Sequence, residues 1–180
     1  MKTILQAILI TLVMTVLTGF VYPLAITGAS QLLFHAQANG SLVTDAKGQV
    51  TGSTLLAQPF SDPKYFWPRP SAASYATVAS GASNLGPTSA ALVKAIAANR
   101  QQFGNDAPVE MLTASASGLD PHISPLAARL QVPRVALARH LEETKVNALV
   151  DQAIEGRQLG FLGEERVNVL ALNLALDGLK

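Results

Sequence analysis

The sequence predicts a small α+β domain carried behind a single N-terminal transmembrane helix. Charge is the first observation. After Lys2 no Asp, Glu, Lys or Arg occurs until Asp45, and across the chain charged residues make up 14% against 49% hydrophobic. The second is a Gly-, Ser-, Pro- and Asn-rich stretch from Asn39 to Pro87 with short strand patterns. The third is helical periodicity that dominates from Ala90 onward. Residues 1–34 read as the anchor and 35–180 as an extracytoplasmic α+β domain.

The run from Ile4 to Phe34 exceeds the ~20 apolar residues that span a ~30 Å hydrocarbon layer. The span is centred on about Ala7 to Ile26, with Leu32, Leu33 and Phe34 at the outer interface. Gly19 and Pro23 interrupt it, as membrane helices tolerate, and Tyr22 suits an interfacial ring. A cleaved signal peptide is the rival, with Ala36-Gln37-Ala38 as its small-x-small site. Its apolar region is usually ~7–15 residues, and this one is about twice that. Lys2 and the terminal amine put the N-terminus in the cytoplasm by the positive-inside rule, so the domain lies in the periplasm. Thr11, Thr15, Thr18 and Gly19 include an i, i+4, i+7, i+8 stripe whose small side chains allow close packing on a partner helix.

Beyond the anchor, the Asn39-Gly40 and Lys47-Gly48 turns predict a hairpin of strands around Ser41–Val43 and Gln49–Leu56. Tyr65-Phe66-Trp67-Pro68-Arg69-Pro70 is an extended aromatic loop, because its prolines exclude helix. Thr88 or Ser89 caps a helix over Ala90–Phe103, with Leu92, Ala95, Ile96, Asn99 and Phe103 on one face and Gly104 closing it. Pro108–Thr113 alternates as a strand. Ser124-Pro125 opens a helix to about Leu130, and Pro133 opens a second to about Leu141 with Val135, Leu137, Ala138 and Leu141 facing the core. Thr144 starts another, with Val146, Leu149, Val150, Ala153 and Ile154 at i, i+3, i+4, i+7, i+8 and Gly156 at its end. Glu165–Leu170 reads as a final strand; periodicity leaves Ala171–Leu179 as strand or helix.

Composition narrows the chemistry. A net charge of +1 makes no basic face for nucleic acid, and the absence of cysteine removes disulfides and thiolate metal sites. No glycine-rich phosphate loop is present. His35, His122 and His140 stand far apart without carboxylates at metal-ligand spacing, so no metal site is expected. Thr113 to Ser124 gathers Ser115, Ser117, Asp120 and His122, which invites a tethered-hydrolase reading. It lacks a Gly-x-Ser-x-Gly elbow, and the plainer account is a loop in which Asp120 bonds its own backbone and Ser124 caps the helix behind it. Arg134 and Arg139 mimic a helix-turn-helix, yet five residues turn a helix by roughly 140°, so they form no single stripe. No catalytic residue is assigned.

A resemblance covers nearly the whole chain. It is carried by Gly19-Phe20-Val21-Tyr22-Pro23-Leu24, Gln37-Ala38-Asn39-Gly40-Ser41-Leu42 and Tyr65-Phe66-Trp67-Pro68-Arg69-Pro70-Ser71-Ala72. Ser80-Gly81-Ala82-Ser83-Asn84-Leu85-Gly86-Pro87, the segment Thr113 to Arg139 and Val167-Asn168-Val169-Leu170-Ala171-Leu172-Asn173-Leu174-Ala175-Leu176-Asp177 complete it. In this order these motifs resemble the C subunit of bacterial Kdp-type potassium-transporting P-type ATPases. Ala82 departs from the family's Gly-Gly.

The resemblance implies a non-catalytic inner-membrane subunit. Its partners would be an ATP-hydrolysing P-type subunit, a channel-like potassium-binding subunit and a very small peptide subunit, besides membrane lipid. It implies assembly of the uptake complex and a catalytic-chaperone role that raises the ATP affinity of the hydrolysing subunit. ATP enters through the resemblance alone; no cofactor is expected to be tightly bound. The family's nucleotide contact carries onto Gln131, with Arg134 beside it. That role conflicts with a periplasmic domain, unless the effect on ATP travels through the membrane part or the orientation read from Lys2 is inverted. Expected partner contacts are Thr11, Thr15 and Gly19 in the span, with Tyr65, Trp67, Arg69, Ser83 and Asn84 in the loops.

Overall fold

The computed structural model describes residues 1–44 and 47–179. It divides into two compact units, Met1–Leu42 and Val43–Lys180. In the first, α1 (Lys2–Val16) and α2 (Tyr22–Leu33) are joined by a π-helical turn, Leu17–Val21, into one 32-residue apolar helix long enough to cross a membrane. The π turn has a local cause. Pro23 has no N–H, and its ring crowds the carbonyl four residues back, so the helix widens ahead of it. The Tyr22 N–H accordingly bonds the Leu17 carbonyl, five residues earlier. None of the span's apolar side chains is buried, so their burial must come from lipid or another chain.

The span gives way to a short helix, α3 (His35–Ala38). Gly40 at φ +86° and Ser41 at φ +49° end it. Ser41 N–H reaches the Ala36 carbonyl at 2.8 Å and Gly40 N–H the Gln37 carbonyl at 3.1 Å. This is the double closure of a left-handed helix stop, which explains a glycine in Gln37-Ala38-Asn39-Gly40.

In the second unit, β1 (Leu42–Thr44) pairs with β2 (Val50–Ser53), as the turn signals predict. An irregular stretch then leads to α4 (Ala90–Phe103), which has the predicted bounds; Ser89 holds the N-cap position and Gly104 ends it at φ +95°. Leu92, Ile96, Asn99 and Phe103 are half-buried, whereas Ala95 is exposed. The strand expected at Pro108–Thr113 is instead a helical turn, α5 (Val109–Leu112). Pro108 precedes it in extended backbone, and the adjacent Met111 and Leu112 are both buried, which a strand's alternation would forbid.

The two helices expected either side of Pro133 are one, α6 (Pro125–Arg139). Pro133 and Arg129, whose carbonyl loses its partner, both lie on the exposed side. On that side the freed carbonyl is open to solvent rather than stranded in the core, so the proline does not end the helix. The continuous helix also corrects its core face. Ala128, Gln131, Val132, Val135 and Ala136 are buried, while Leu137 is 79% exposed and Ala138 is exposed.

Helix α7 (Glu143–Gln152) buries Val146 and Val150, with Leu149 packed beside them as predicted. Ile154 leaves the helix and enters a strand. Strands β3 (His122–Ile123), β4 (Ile154–Glu155) and β5 (Arg166–Asn168) form an antiparallel sheet with β5 central; Ile123 and Ile154 both oppose Val167. The expected strand Glu165–Leu170 stops at Asn168, whose side chain accepts the Ala171 N–H at 3.1 Å and starts α8 (Val169–Asp177). The core lies between the sheet and α6, α7 and α8, and takes in Phe66, Met111, Ile123, Val135, Leu172 and Leu176.

Candidate functional site

The aromatic loop is the most heavily constrained irregular segment of the domain. Phe66 is fully buried in the core. Its backbone would be stranded there without partners, and a buried amide supplies both. Asn173 Oδ1 accepts the Phe66 N–H at 2.8 Å, and Asn173 Nδ2 donates to the Phe66 carbonyl at 3.0 Å. Gln131 repeats the device one residue on. Its Oε1 accepts the Trp67 N–H at 2.8 Å, and its Nε2 donates to the Trp67 carbonyl at 3.1 Å. Two side chains from α6 and α8 thus act as a strand pairing for a segment whose prolines prevent a regular one.

Three arginines brace the same loop. Arg134 lies 3.7 Å from the Trp67 ring centre, donates to the carbonyls of Pro63 and Tyr65, and reaches Gln131 Oε1 at 2.7 Å. Burial lowers its pKa to about 10, which leaves it a cation near neutrality. Arg139 donates to the Lys64 carbonyl at 2.8 Å and pairs with Asp177 at 2.6 Å; Tyr65 Oη donates to the other Asp177 oxygen at 3.1 Å. Arg69 pairs with Asp120 at 3.0 Å, both side chains being half-buried. Trp67 meets Phe103 of α4 edge-on, with ring centres 5.9 Å apart.

This arrangement bears on the nucleotide expectation. Gln131 is 3% exposed. Its oxygen accepts two hydrogen bonds and its nitrogen donates two, the second to the Ala127 carbonyl at 3.3 Å. A phosphate or base at Gln131 would have to displace the Trp67 backbone, so the pair Gln131 and Arg134 as arranged does not fit a nucleotide.

The Ser/Asp/His cluster follows loop logic. Asp120 Oδ1 accepts the His122 N–H at 3.0 Å, and Ser124 Oγ caps α6 through the Ala127 N–H at 3.1 Å, as the sequence predicts. Ser117 Oγ accepts the Leu119 N–H at 3.1 Å, and Ser115 is buried. His122 Nδ1 stands 3.8 Å from Asp120. Partial burial first, then Arg166, holds the His122 pKa below the usual histidine value, against Glu155 and Asp120. An open groove of about 510 Å³ runs past Leu55, Arg69, Ser115 and Asp120.

The geometry of loop and tail coincides with a family signature. The KdpC family model, described as the c chain of K+-transporting ATPase, matches residues 4–178. A potassium-transporting ATPase KdpC subunit of Geobacter sulfurreducens is 52% identical over 99% of both chains. Those of Methylococcus capsulatus and Sorangium cellulosum are each 54% identical, over 97% and 96% of this chain and 96% and 95% of their own. The chain belongs to the KdpC family.

Four of the six motifs that carry the KdpC resemblance meet in space. Tyr65-Phe66-Trp67 is held by Asn173 and Asp177 of the tail and by Gln131 and Arg134 of α6. Arg69 and Pro70 bind the Thr113–Asp120 loop, through Asp120 and through the Ser115 N–H on the Pro70 carbonyl at 2.9 Å. The Ser80–Pro87 motif touches that loop where Ser80 Oγ donates to the Ser117 carbonyl at 2.6 Å. Ser83 and Asn84 are exposed, Asn84 with a left-handed backbone at φ +53°.

In the span, Thr11 and Thr18 turn their hydroxyls back to the Ala7 and Met14 carbonyls at 2.8 and 2.7 Å. Thr15 is exposed, and a Cβ built on Gly19 would meet nothing within 4 Å. Asn173 and Asp177 were invisible as loop partners, since about 110 residues separate them from Tyr65 and Phe66. The available signal was a lone Asn among the leucines of Leu172-Asn173-Leu174. A buried amide on an apolar helix face needs a backbone or side-chain partner.

Proposed function

We propose that the chain is a non-catalytic accessory subunit of an ATP-driven potassium-uptake pump, anchored in the bacterial inner membrane with its N-terminus in the cytoplasm and its domain in the periplasm. It assembles and stabilises the complex by holding together a P-type ATP-hydrolysing subunit, a channel-like potassium-binding subunit and a small peptide subunit. The polar loops at Tyr65–Ala72 and Ser80–Pro87 order the potassium entrance of the channel-like subunit. It raises the ATP affinity of the hydrolysing subunit through the membrane helix, without holding the nucleotide itself.

Membership of the KdpC family supports the pump assignment, since relatives at 52% and 54% identity are potassium-transporting ATPase subunits. The carrying observation for a scaffold role is the clasp. Gln131, Asn173, Arg134 and Arg139 are all engaged in fixing the aromatic loop, which suits presentation of a surface better than turnover. The fully exposed apolar helix supports coupling within the membrane. Lys2 supports the orientation.

The test is purification of the tagged full chain from potassium-starved cells in a mild detergent. Stoichiometric recovery of a P-type subunit and a channel-like subunit is expected. The pump's ATPase KM for ATP should rise when the chain is stripped, while the purified chain shows no ATP binding by calorimetry. Recovery of the chain alone, or direct ATP binding abolished by Gln131→Leu, would overturn the reading.

A further inference from the structure

At the π turn the span loses hydrogen bonds that nothing in the chain restores. The Tyr22 N–H goes to the Leu17 carbonyl, and the regular bonding of α2 resumes from the carbonyl of its N-cap, Val21. Three carbonyls lie between, those of Thr18, Gly19 and Phe20. Pro23 has no amide to offer them, and the Leu24 N–H reaches back only to Phe20 or, in a π turn, to Gly19. The Thr18 carbonyl and one of its two successors are therefore left without a backbone donor. Side chains do not replace it. The Thr11 and Thr18 hydroxyls bond the Ala7 and Met14 carbonyls at 2.8 and 2.7 Å. Tyr22-Pro23-Leu24, where a hydroxyl would have to stand to bond back, holds no Ser or Thr. Thr15, one turn earlier on the same face, has no partner for its hydroxyl among the described residues.

Depth decides whether water serves these carbonyls. A hydrocarbon layer takes in ~20 helical residues, and any such run drawn from the 32-residue helix Lys2–Leu33 contains residues 14–21. The open carbonyls thus lie inside the layer, where lipid chains donate no hydrogen bond and an unpaired backbone group is strongly disfavoured. The number of missing donors then decides the chemistry of the neighbour. Two carbonyls need two protons. A second copy of this helix offers at that depth only the Thr15 hydroxyl, which donates once. The side chains of Asn, Gln, Lys and Arg donate twice or more, and within membranes they bond across helices or to backbone carbonyls. Gly19 leaves the approach open, since a Cβ built there meets nothing within 4 Å.

We propose that the π turn is a docking notch for one membrane helix of another pump subunit, whose mid-bilayer N–H side chain donates to the Thr18 carbonyl and to the open carbonyl beside it. The proposal rests on the accessory-subunit reading and names the polar contact that holds the subunit within the membrane. Pro23 is a positioning residue, which opens the carbonyls without touching the partner. Gly19 admits the donor to the backbone.

The test uses the full chain co-expressed with its pump subunits. Pro23→Ala restores the missing amide and lets the helix close on itself, so the chain alone should melt no lower than wild type. The complex should nevertheless dissociate at least about tenfold faster, as loss of two interhelical hydrogen bonds does. Gly19→Leu, whose side chain meets nothing in the chain itself, should give the same loss by filling the approach. Isotope-edited infrared spectroscopy reads the bond directly. Threonine carbonyls are labelled, and the Thr18 band is isolated by subtracting the spectrum of Thr18→Ser. That band should sit at the free-carbonyl frequency for the chain alone in lipid nanodiscs and fall on assembly. A band already low in nanodiscs assigns the carbonyl to water or to the chain itself, and one that stays high in the complex shows no donor; either overturns the notch. Wild-type retention of the complex by both variants would also overturn it and leave the accessory reading intact. Failure of the wild-type chain to recover any pump subunit would overturn both.

Discussion

At the scale of the residue, the domain rests on two side-chain amides doing the work of backbone. Asn173 is 2% exposed and pairs with both backbone polar groups of Phe66, itself buried in the core. Asn173→Leu keeps the γ-branched shape but leaves a buried N–H and C=O unpaired, at about 1–3 kcal/mol each. Chemical denaturation of the purified chain in detergent should therefore show a loss of about 2–5 kcal/mol. Replacement by a carboxylate separates the two clasps further. Asn173→Asp faces the Phe66 carbonyl with a charge and nothing in the clasp to neutralise it, whereas Gln131→Glu gains Arg134, whose Nη2 lies 2.7 Å from Oε1. Gln131→Glu should be the milder change, and equal losses would show that Arg134 does not offset a charge at position 131.

His122 supplies the pH dependence. Its folded-state pKa is depressed, mainly by burial. The unfolded chain therefore binds the proton more readily. The contribution is fully present above the ordinary histidine value of ~6.5 and is lost as pH falls through the folded value. Melting temperature should drop between pH 7 and pH 5, and His122→Asn should flatten that part of the profile. An unchanged slope in the variant would assign the drop to carboxylates.

At the scale of the element, α6 shows what the sequence could and could not tell. Its start was legible, because Ser124-Pro125 is a cap and first-turn signal that acts locally. Pro133 read as a second start for the same reason. Whether a proline ends a helix depends on where the lost carbonyl points, and that is a tertiary fact. Helix α4 had the predicted bounds; Gly104 ends it locally, while Ser89 sits at the N-cap position without a side-chain cap bond, and the left-handed stop at Gly40 is equally local. Short elements were not legible. Strands β3 and β4 are two residues each, and only pairing with β5 defines them.

The shifted core face of α6 makes a direct comparison. Leu137, expected inside, is 79% exposed, and Val135 is fully buried. Leu137→Gln should change unfolding free energy by less than about 0.5 kcal/mol, while Val135→Ala should cost about 2–3 kcal/mol through lost contacts and a cavity. Thermal or denaturant unfolding of the two variants decides it. A large loss at Leu137 in the isolated chain would restore the two-helix reading.

At the scale of the whole molecule, function turns on which side of the membrane the second unit occupies. Lys2 stands ahead of the span and biases that end toward the cytoplasm under the positive-inside rule. The clasp contributes a separate argument. Were the domain cytoplasmic, Gln131 and Arg134 would share a compartment with ATP, yet both are engaged with Trp67 and its neighbours. A periplasmic domain has no such tension, and the proposed effect on ATP affinity would then belong to the helix Lys2–Leu33. The chain has no cysteine, so Asn105→Cys at an exposed position gives one reactive thiol. A membrane-impermeant maleimide should label it in cells with a permeabilised outer membrane and intact inner membrane. Labelling that appears only after the inner membrane is opened would invert the topology. The nucleotide contact at Gln131 would then regain its opportunity, and the clasp would have to be read as one of two states of the loop.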